Sequence, residues 1–234
     1  MRHQLPGDPA HAMVVSDGGL VSLIACVAAK ERVLASTPDA SHLLPVIWAS
    51  ITPGPTSRAR AHAIEAQATT LGLEVVVPSS DAANTTNSAG ERATRELMDA
   101  AFAAVSRGCG SLVLSDRHAD GDMVDLSSVA ATIDRAMLVS RLVSLDMPTD
   151  AGSFEIESPY VDLSDRQVAE LAIDLGAPIQ LCWWWHSELR CLRSSGRADQ
   201  GPASVGFLLP GSLRFSRTST STGFWGLADH RCYR

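Results

Sequence analysis

Aromatic residues make up only 5% of this 234-residue chain, although 45% of it is hydrophobic. A core must therefore come mostly from Ala, Val, Leu and Ile. Lysine is almost missing: of 19 basic residues, all but Lys30 are Arg. That bias fits a GC-rich coding sequence better than a functional demand. Positive charge is short as well, with 26 acidic residues giving a net charge of −7. A broad nucleic-acid footprint needs a basic face, so this balance argues against nucleic acid as a partner. It does not argue against a small anion held by backbone N–H groups, whose grip is independent of net charge. No stretch approaches the roughly 18–20 apolar residues that cross a bilayer. Arg2 and His3 lead into Pro6, Gly7, Asp8 and Pro9, which form no signal-peptide h-region. A cytoplasmic protein with no membrane partner is expected. Five cysteines are too few for a disulfide scaffold of this length. Three of them, Cys182, Cys191 and Cys232, fall within the last quarter of the chain, where clustering raises the question of metal.

The remaining pattern is regular. Ala12–Val15 reads as a short buried strand, followed by a helix over Leu20–Val33 with apolar residues at Leu20, Leu23, Ile24 and Val27. A second strand is expected at Leu43–Ala49 and an Ala-rich helix at Arg58–Leu71, ended by Gly72. A third strand at Leu73–Val77 stops at Pro78. Asp81–Gly90 is a polar loop, and Glu91–Arg107 a periodic helix. Ser111–Leu114 gives a fourth strand, Leu126–Leu145 a long helix, and Phe154–Glu157 a fifth strand. Ser164-x-x-Gln167 is a capping box opening a helix through Leu175. Strands alternate with helices, which predicts a three-layer α/β domain with a mostly parallel sheet of about five strands and helices on both faces. Ligands in such folds sit at the carboxyl ends of the strands.

The first strand runs into Ser16-Asp17-Gly18-Gly19-Leu20-Val21-Ser22. A β-branched strand, two glycines, a hydroxyl and a helix start describe a phosphate cradle. The segment resembles the SGGxDS loop of the N-type ATP pyrophosphatases. Gly18, Gly19, Leu20 and Ser22 fit it; Asp17 stands where that family has Ser, and Val21 where it has Asp. Further segments resemble its 7-cyano-7-deazaguanine synthase branch. They are Val46-Ile47-Trp48, then Arg60-Ala61-His62, Leu71-Gly72-Leu73, Leu112–Asp116 leading into Asp120-Gly121-Asp122, Ser158-Pro159, Leu175-Gly176-Ala177-Pro178 and Cys182-Trp183. The resemblance spans about residues 12–186 and implies a HUP-like core that uses ATP with Mg²⁺.

It also implies site residues. Ser16, Asp17, Gly18, Gly19, Leu20 and Ser22 would bind the nucleotide, and Asp120 and Asp122 would contact substrate or Mg²⁺, although a solvated Asp/Gly turn explains that pair equally well. Arg60 and His62 would reach the phosphates or lie on a solvated helix face. The family ends in a structural zinc site, and zinc requires four Cys or His ligands. Trp185 aligns with the first ligand and Cys191 with the second, while Ser194 and Arg197 fall at the others. Cys182, His186 and Cys191 remain as metal candidates, an incomplete set. From residue 182 onward the chain changes character. Four of the five Trp lie there, and seven Arg face Glu188, Asp199 and Asp229 alone. Residues 1–181 therefore read as the core, and 182–234 as a divergent tail, either disordered or the product of a shifted reading frame.

The activity implied is that of an ATP-dependent ligase of queuosine precursor synthesis, which activates a carboxylate by adenylation. The alternatives are an inactive relative that binds a nucleotide weakly or a partner, and another N-type ATP pyrophosphatase. The expected partner is a small-molecule substrate, and the pattern leaves room for a homodimer.

Overall fold

The computed structural model describes residues 11–36, 44–78, 88–147 and 153–185, with two short strands at 207–209 and 213–215. Its elements in chain order are β1 (Ala12–Ser16), α1 (Leu20–Ser36), β2 (Val46–Ala49), α2 (Ser57–Leu71), β3 (Glu74–Val76), α3 (Ala89–Ser106) and β4 (Ser111–Val113). There follow β5 (Ala119–Asp120), β6 (Met123–Val124), α4 (Leu126–Asp146), β7 (Glu155–Glu157), α5 (Asp165–Asp174), a 3₁₀ turn (Ile179–Leu181), β8 (Phe207–Leu209) and β9 (Leu213–Phe215). Five strands form one sheet in the order β3-β2-β1-β4-β7, and every pairing in it is parallel. This is the three-layer α/β architecture with a parallel five-stranded sheet expected from the alternation of strands and helices. Two antiparallel hairpins, β5-β6 and β8-β9, stand outside that sheet.

Side chains alternate across the pleat, so each strand feeds two cores. Val14 and Ile47 point into one, with Leu23, Ile24 and Val27 of α1, Ile64 of α2 and Val168 of α5. Met13 and Trp48 point into the other, with Leu97 and Ala101 of α3 and Val139 and Val143 of α4. Helix α1 is enclosed on most sides and buries nine of its 17 residues. The aliphatic core foreseen from composition is thus present, with Trp48 its one large aromatic in the sheet. The packed core runs past Leu181, where the change of composition would end it, to include Cys182 and Trp184.

Local chemistry fixes the helix ends. Ser164 accepts from the Gln167 N–H and Gln167 accepts from the Ser164 N–H, completing the capping box at α5. Asp125 caps α4 by accepting from Ser127 and Ser128. The lone lysine secures another helix end. Lys30 Nζ donates to the Leu71 carbonyl, 2.6 Å away, where α2 stops. Most of the Asp81–Gly90 loop lies outside the described residues.

Candidate nucleotide site at the carboxyl ends of β1 and β4

Strand β1 is central, and the chain leaves it towards β2 on one side while β4 and β7 lie on the other. The order therefore reverses between β1 and β4, the place where a parallel α/β sheet opens a crevice at its carboxyl edge. Residues 17–19 turn there from β1 into α1. Gly18 has φ +76°, and a Cβ on it would lie 2.9 Å from the Arg60 carbonyl oxygen of α2. Only glycine meets both conditions, since the left-handed region is costly for other residues and the backbones touch. The Gly18 carbonyl accepts from Gln67 Nε2 of α2 at 3.1 Å and from the Trp183 N–H at 3.1 Å. Gln67 is fully buried, and its amide also donates to the Leu181 carbonyl at 3.2 Å.

The loop is closed by its own acid. Asp17 Oδ1 accepts from the Gly19 N–H at 2.8 Å and from the Ser22 hydroxyl at 3.2 Å. Its other oxygen, Oδ2, meets Arg60 Nη1 at 2.9 Å. A carboxylate thus sits where the partial positive charge of a helix N-terminus attracts an anion. Ser16 Oγ, fully buried, accepts from the Gly18 N–H at 3.2 Å. Leu23 is the first residue of α1 whose N–H meets a helical carbonyl, that of Gly19. The N–H groups of Leu20 and Val21 lie ahead of it, without intrahelical acceptors as at any helix start, and both residues line the crevice.

That crevice has a volume of about 240 Å³ and is walled by Asp17, Val21, Ser115, Arg117, Asp165 and Trp183. It is smaller than the roughly 300–1,000 Å³ of a typical small-molecule pocket. Arg117 forms an ion pair with the buried Asp165. Burial pushes the Asp165 carboxyl up, and Arg117 opposes that push. The crowding of protein around Asp116 raises its carboxyl too, with Asp17 adding to the rise and His118 opposing it. Trp183 carries the Arg60 guanidinium over its ring, 4.8 Å from the centroid, so one face of that indole is already used.

The predicted site residues separate into three groups. Ser16, Asp17, Gly18, Gly19, Leu20 and Ser22 come together at the turn from β1 to α1, where Asp17, Gly19 and Leu20 line the crevice and Ser16, Gly18 and Ser22 are buried without lining it. Asp120 and Asp122 flank the turn between β5 and β6. Asp120 lines a second, more open cavity of about 360 Å³ that shares Arg117 with the first. Cys182 is buried in the core; burial and the Asp17 charge push its thiol up to about 12. His186 and Cys191 lie outside the described residues, and among the described residues no three His, Cys, Asp or Glu side chains cluster as a metal site. Ser115, Arg117 and Asp165 join the site although no motif of the sequence singles them out as ligands. The signal for the first two is their place directly after β4, at the same sheet edge as the glycine turn. Asp165 gives only a helix-start signal.

No family model matches this chain, and no curated protein matches it. Among solved structures it is similar to the U34-tRNA thiolase NcsA from Methanococcus maripaludis with its 4Fe-4S cluster, at 13% identity and a TM-score of 0.45. The match covers 80% of this chain and 66% of that one, just under two thirds of the thiolase's length. Among the described residues no helix is long and apolar enough to cross a membrane.

Proposed function

We propose that the crevice between β1 and β4 binds the phosphates of ATP, and that the chain is an ATP-dependent carbon–nitrogen ligase resembling 7-cyano-7-deazaguanine synthase. The observation that carries the reading is the glycine turn of residues 17–19 at the switch point of the sheet, with Leu20 and Val21, the first residues of α1, lining the crevice. Bound ATP would supply pyrophosphate as the leaving group when a substrate carboxylate is activated. The residues' part is electrostatic: N–H groups fixed at a helix start meet negative charge without reorganising. The Ser22 hydroxyl lies at the same turn, and Arg60 and Arg117 stand on its two sides, paired with Asp17 and Asp165. Mg²⁺ takes oxygen ligands. Val21 offers none, and Asp17, the loop's one carboxylate, is held by Gly19 and Arg60 and can reach the ion only by giving one of them up.

That last requirement favours a second reading, a non-catalytic relative that keeps the fold and binds nucleotide weakly. The specific observation behind it is the Asp17 carboxylate resting on the Gly19 N–H at 2.8 Å. Calorimetric titration with Mg²⁺ and a non-hydrolysable ATP analogue separates the two. Micromolar binding, followed by ATP turnover with the deazaguanine carboxylic acid and ammonia, is the expected outcome for the ligase. Binding without turnover supports the second reading. No binding at millimolar nucleotide refutes the site itself.

A further inference from the structure

Gln67 is an amide on an otherwise apolar helix face. On α2 it lies one turn past Ala63 and Ile64 and next to Ala68, and all four are buried. Burying an amide is unfavourable unless it is bonded, so an apolar residue would serve packing alone at least as well. Its Nε2 has a hydrogen for each of two carbonyls, Gly18 at 3.1 Å and Leu181 at 3.2 Å. Its Oε1 has no partner among the described residues. The flipped amide would set that oxygen against both carbonyl oxygens, so the orientation is fixed by what Nε2 meets.

These bonds reach the crevice through one planar unit. The Gly18–Gly19 peptide is trans, so its C=O and N–H point in opposite directions. With the carbonyl drawn towards Gln67, the Gly19 N–H is turned the other way, onto the Asp17 carboxylate at 2.8 Å. Gly19 and Asp17 both line the crevice. The other donor to the Gly18 carbonyl, the Trp183 N–H, follows closely on Leu181, whose own carbonyl Gln67 holds. Gln67 therefore restrains the peptide twice, directly and through the segment that carries Trp183.

We infer that Gln67 is a positioning residue of the cradle, which aims the Gly19 N–H into the crevice as a donor to anions. The Asp17 carboxylate is an anion already seated on that donor. Without Gln67 the peptide is free to turn at its two flanking glycines, which resist rotation least. Only the step from carboxylate to phosphate rests on the nucleotide reading proposed above; the aiming of the N–H does not.

The test uses the full chain, first without ligand. In the natural sequence the Gln67 side-chain hydrogens should exchange slowly with water, and the Gly19 amide should resonate downfield, as an N–H bonded to a carboxylate does. Gln67→Met removes both donors at nearly constant length. It should move the Gly19 resonance upfield and speed its hydrogen exchange about tenfold or more. Gln67→Glu replaces the donors by acceptors and should move the resonance at least as far. Val143→Ala opens a cavity in the other core and should lower stability with the Gly19 resonance unmoved. With Mg²⁺ and the non-hydrolysable ATP analogue, affinity should fall about tenfold in Gln67→Met and stay constant in Val143→Ala. Rapid exchange of the Gln67 hydrogens in the natural chain overturns the inference, whether or not a variant folds. So does a Gly19 resonance indifferent to Gln67→Met, an equal shift in Val143→Ala, or unchanged affinity in Gln67→Met. If the natural chain binds no nucleotide while the Gly19 resonance follows Gln67, the nucleotide reading falls and the positioning role stands.

Discussion

The two turns that leave the carboxyl edge of the sheet, at β1 and at β4, are built on opposite plans. At the end of β1 the turn is locked. Its carboxylate is held by Gly19, Ser22 and Arg60, and its carbonyl at Gly18 is held from α2 and from Trp183. Beyond β4 the chain runs into a hairpin of two-residue strands, with Met123 77% exposed at its turn. Its ties to the body lie at its base and at Gly121: the His118 N–H donates to the Val161 carbonyl at 3.0 Å and the Asp165 N–H to the Gly121 carbonyl at 3.2 Å, His118 Nε2 pairs with Thr132 Oγ1 at 2.7 Å, and Arg117 pairs with Asp165. A turn whose acid and central carbonyl are both committed keeps one shape, while a hairpin tied at its base and at Gly121 can vary at its tip without disturbing the sheet.

The sharpest way to break this contrast is a methyl group. Gly18→Ala meets both a left-handed backbone and the Arg60 carbonyl 2.9 Å away, and should cost about 2–3 kcal/mol in denaturant unfolding. Gly121→Ala has φ +62° with open space around it and should cost only about 1–2 kcal/mol. Equal losses would erase the distinction. Alkaline pH probes the same side of the molecule. Cys182 has its thiol raised from 9.0 to about 12 in the fold. A group raised on folding stabilises fully below its unfolded value, and that stability drains away as pH climbs through the window above it. Unfolding free energy should therefore fall between about pH 9 and 11, on the order of 2 kcal/mol for this one thiol. Cys182→Ala should reduce the slope and leave the part that the buried Cys26 and Cys109 thiols contribute, and an unchanged slope would show the Cys182 thiol to be accessible.

Smaller effects concern the ligand. Asp17→Ser removes a negative charge from the α1 start and frees Arg60, so affinity for Mg²⁺ with the ATP analogue should rise about tenfold, close to 1.4 kcal/mol. Loss of affinity instead would make Asp17 a ligand of the ion. Val21→Asp should raise affinity several-fold with Mg²⁺ and not with EDTA; no difference between the two would exclude a metal at that position. Smallest of all, Asp122→Asn on the hairpin should change stability by less than about 0.5 kcal/mol. A measurable shift in KM for a carboxylate substrate would place the hairpin in the site.

The layering is legible in the sequence because it rests on period. α1, α3 and α4 carry helical spacing over 17, 18 and 21 residues, and β1 ends in a glycine pair that few other turns require. The β5-β6 hairpin is not legible, since two-residue strands are too short to show an alternation. Asp120-Gly121-Asp122 reads as a turn, which it is, without its flanks. What closes the cradle is invisible for another reason. Asp17 and Arg60 are 43 positions apart in the chain, and only the packing of α2 beneath the glycine turn brings them together. By sequence Arg60 is a phosphate ligand or a solvated charge; the fold instead commits it to Asp17 and Trp183. Cys182 and Trp184 stand at the start of a stretch of altered composition, and composition does not reveal that a chain still packs.

The hydrogen bond from Trp183 to Gly18 has a kinetic meaning. The donor follows the 3₁₀ turn at Ile179–Leu181 and the acceptor lies in the turn after β1, so this amide proton can exchange with water only when these two segments part. Its exchange rate is a clock for the opening of the cradle, readable at one residue. A nucleotide that seats on α1 should slow that clock, and a ligand that must first dislodge Asp17 and its neighbours should make it run faster before it stops.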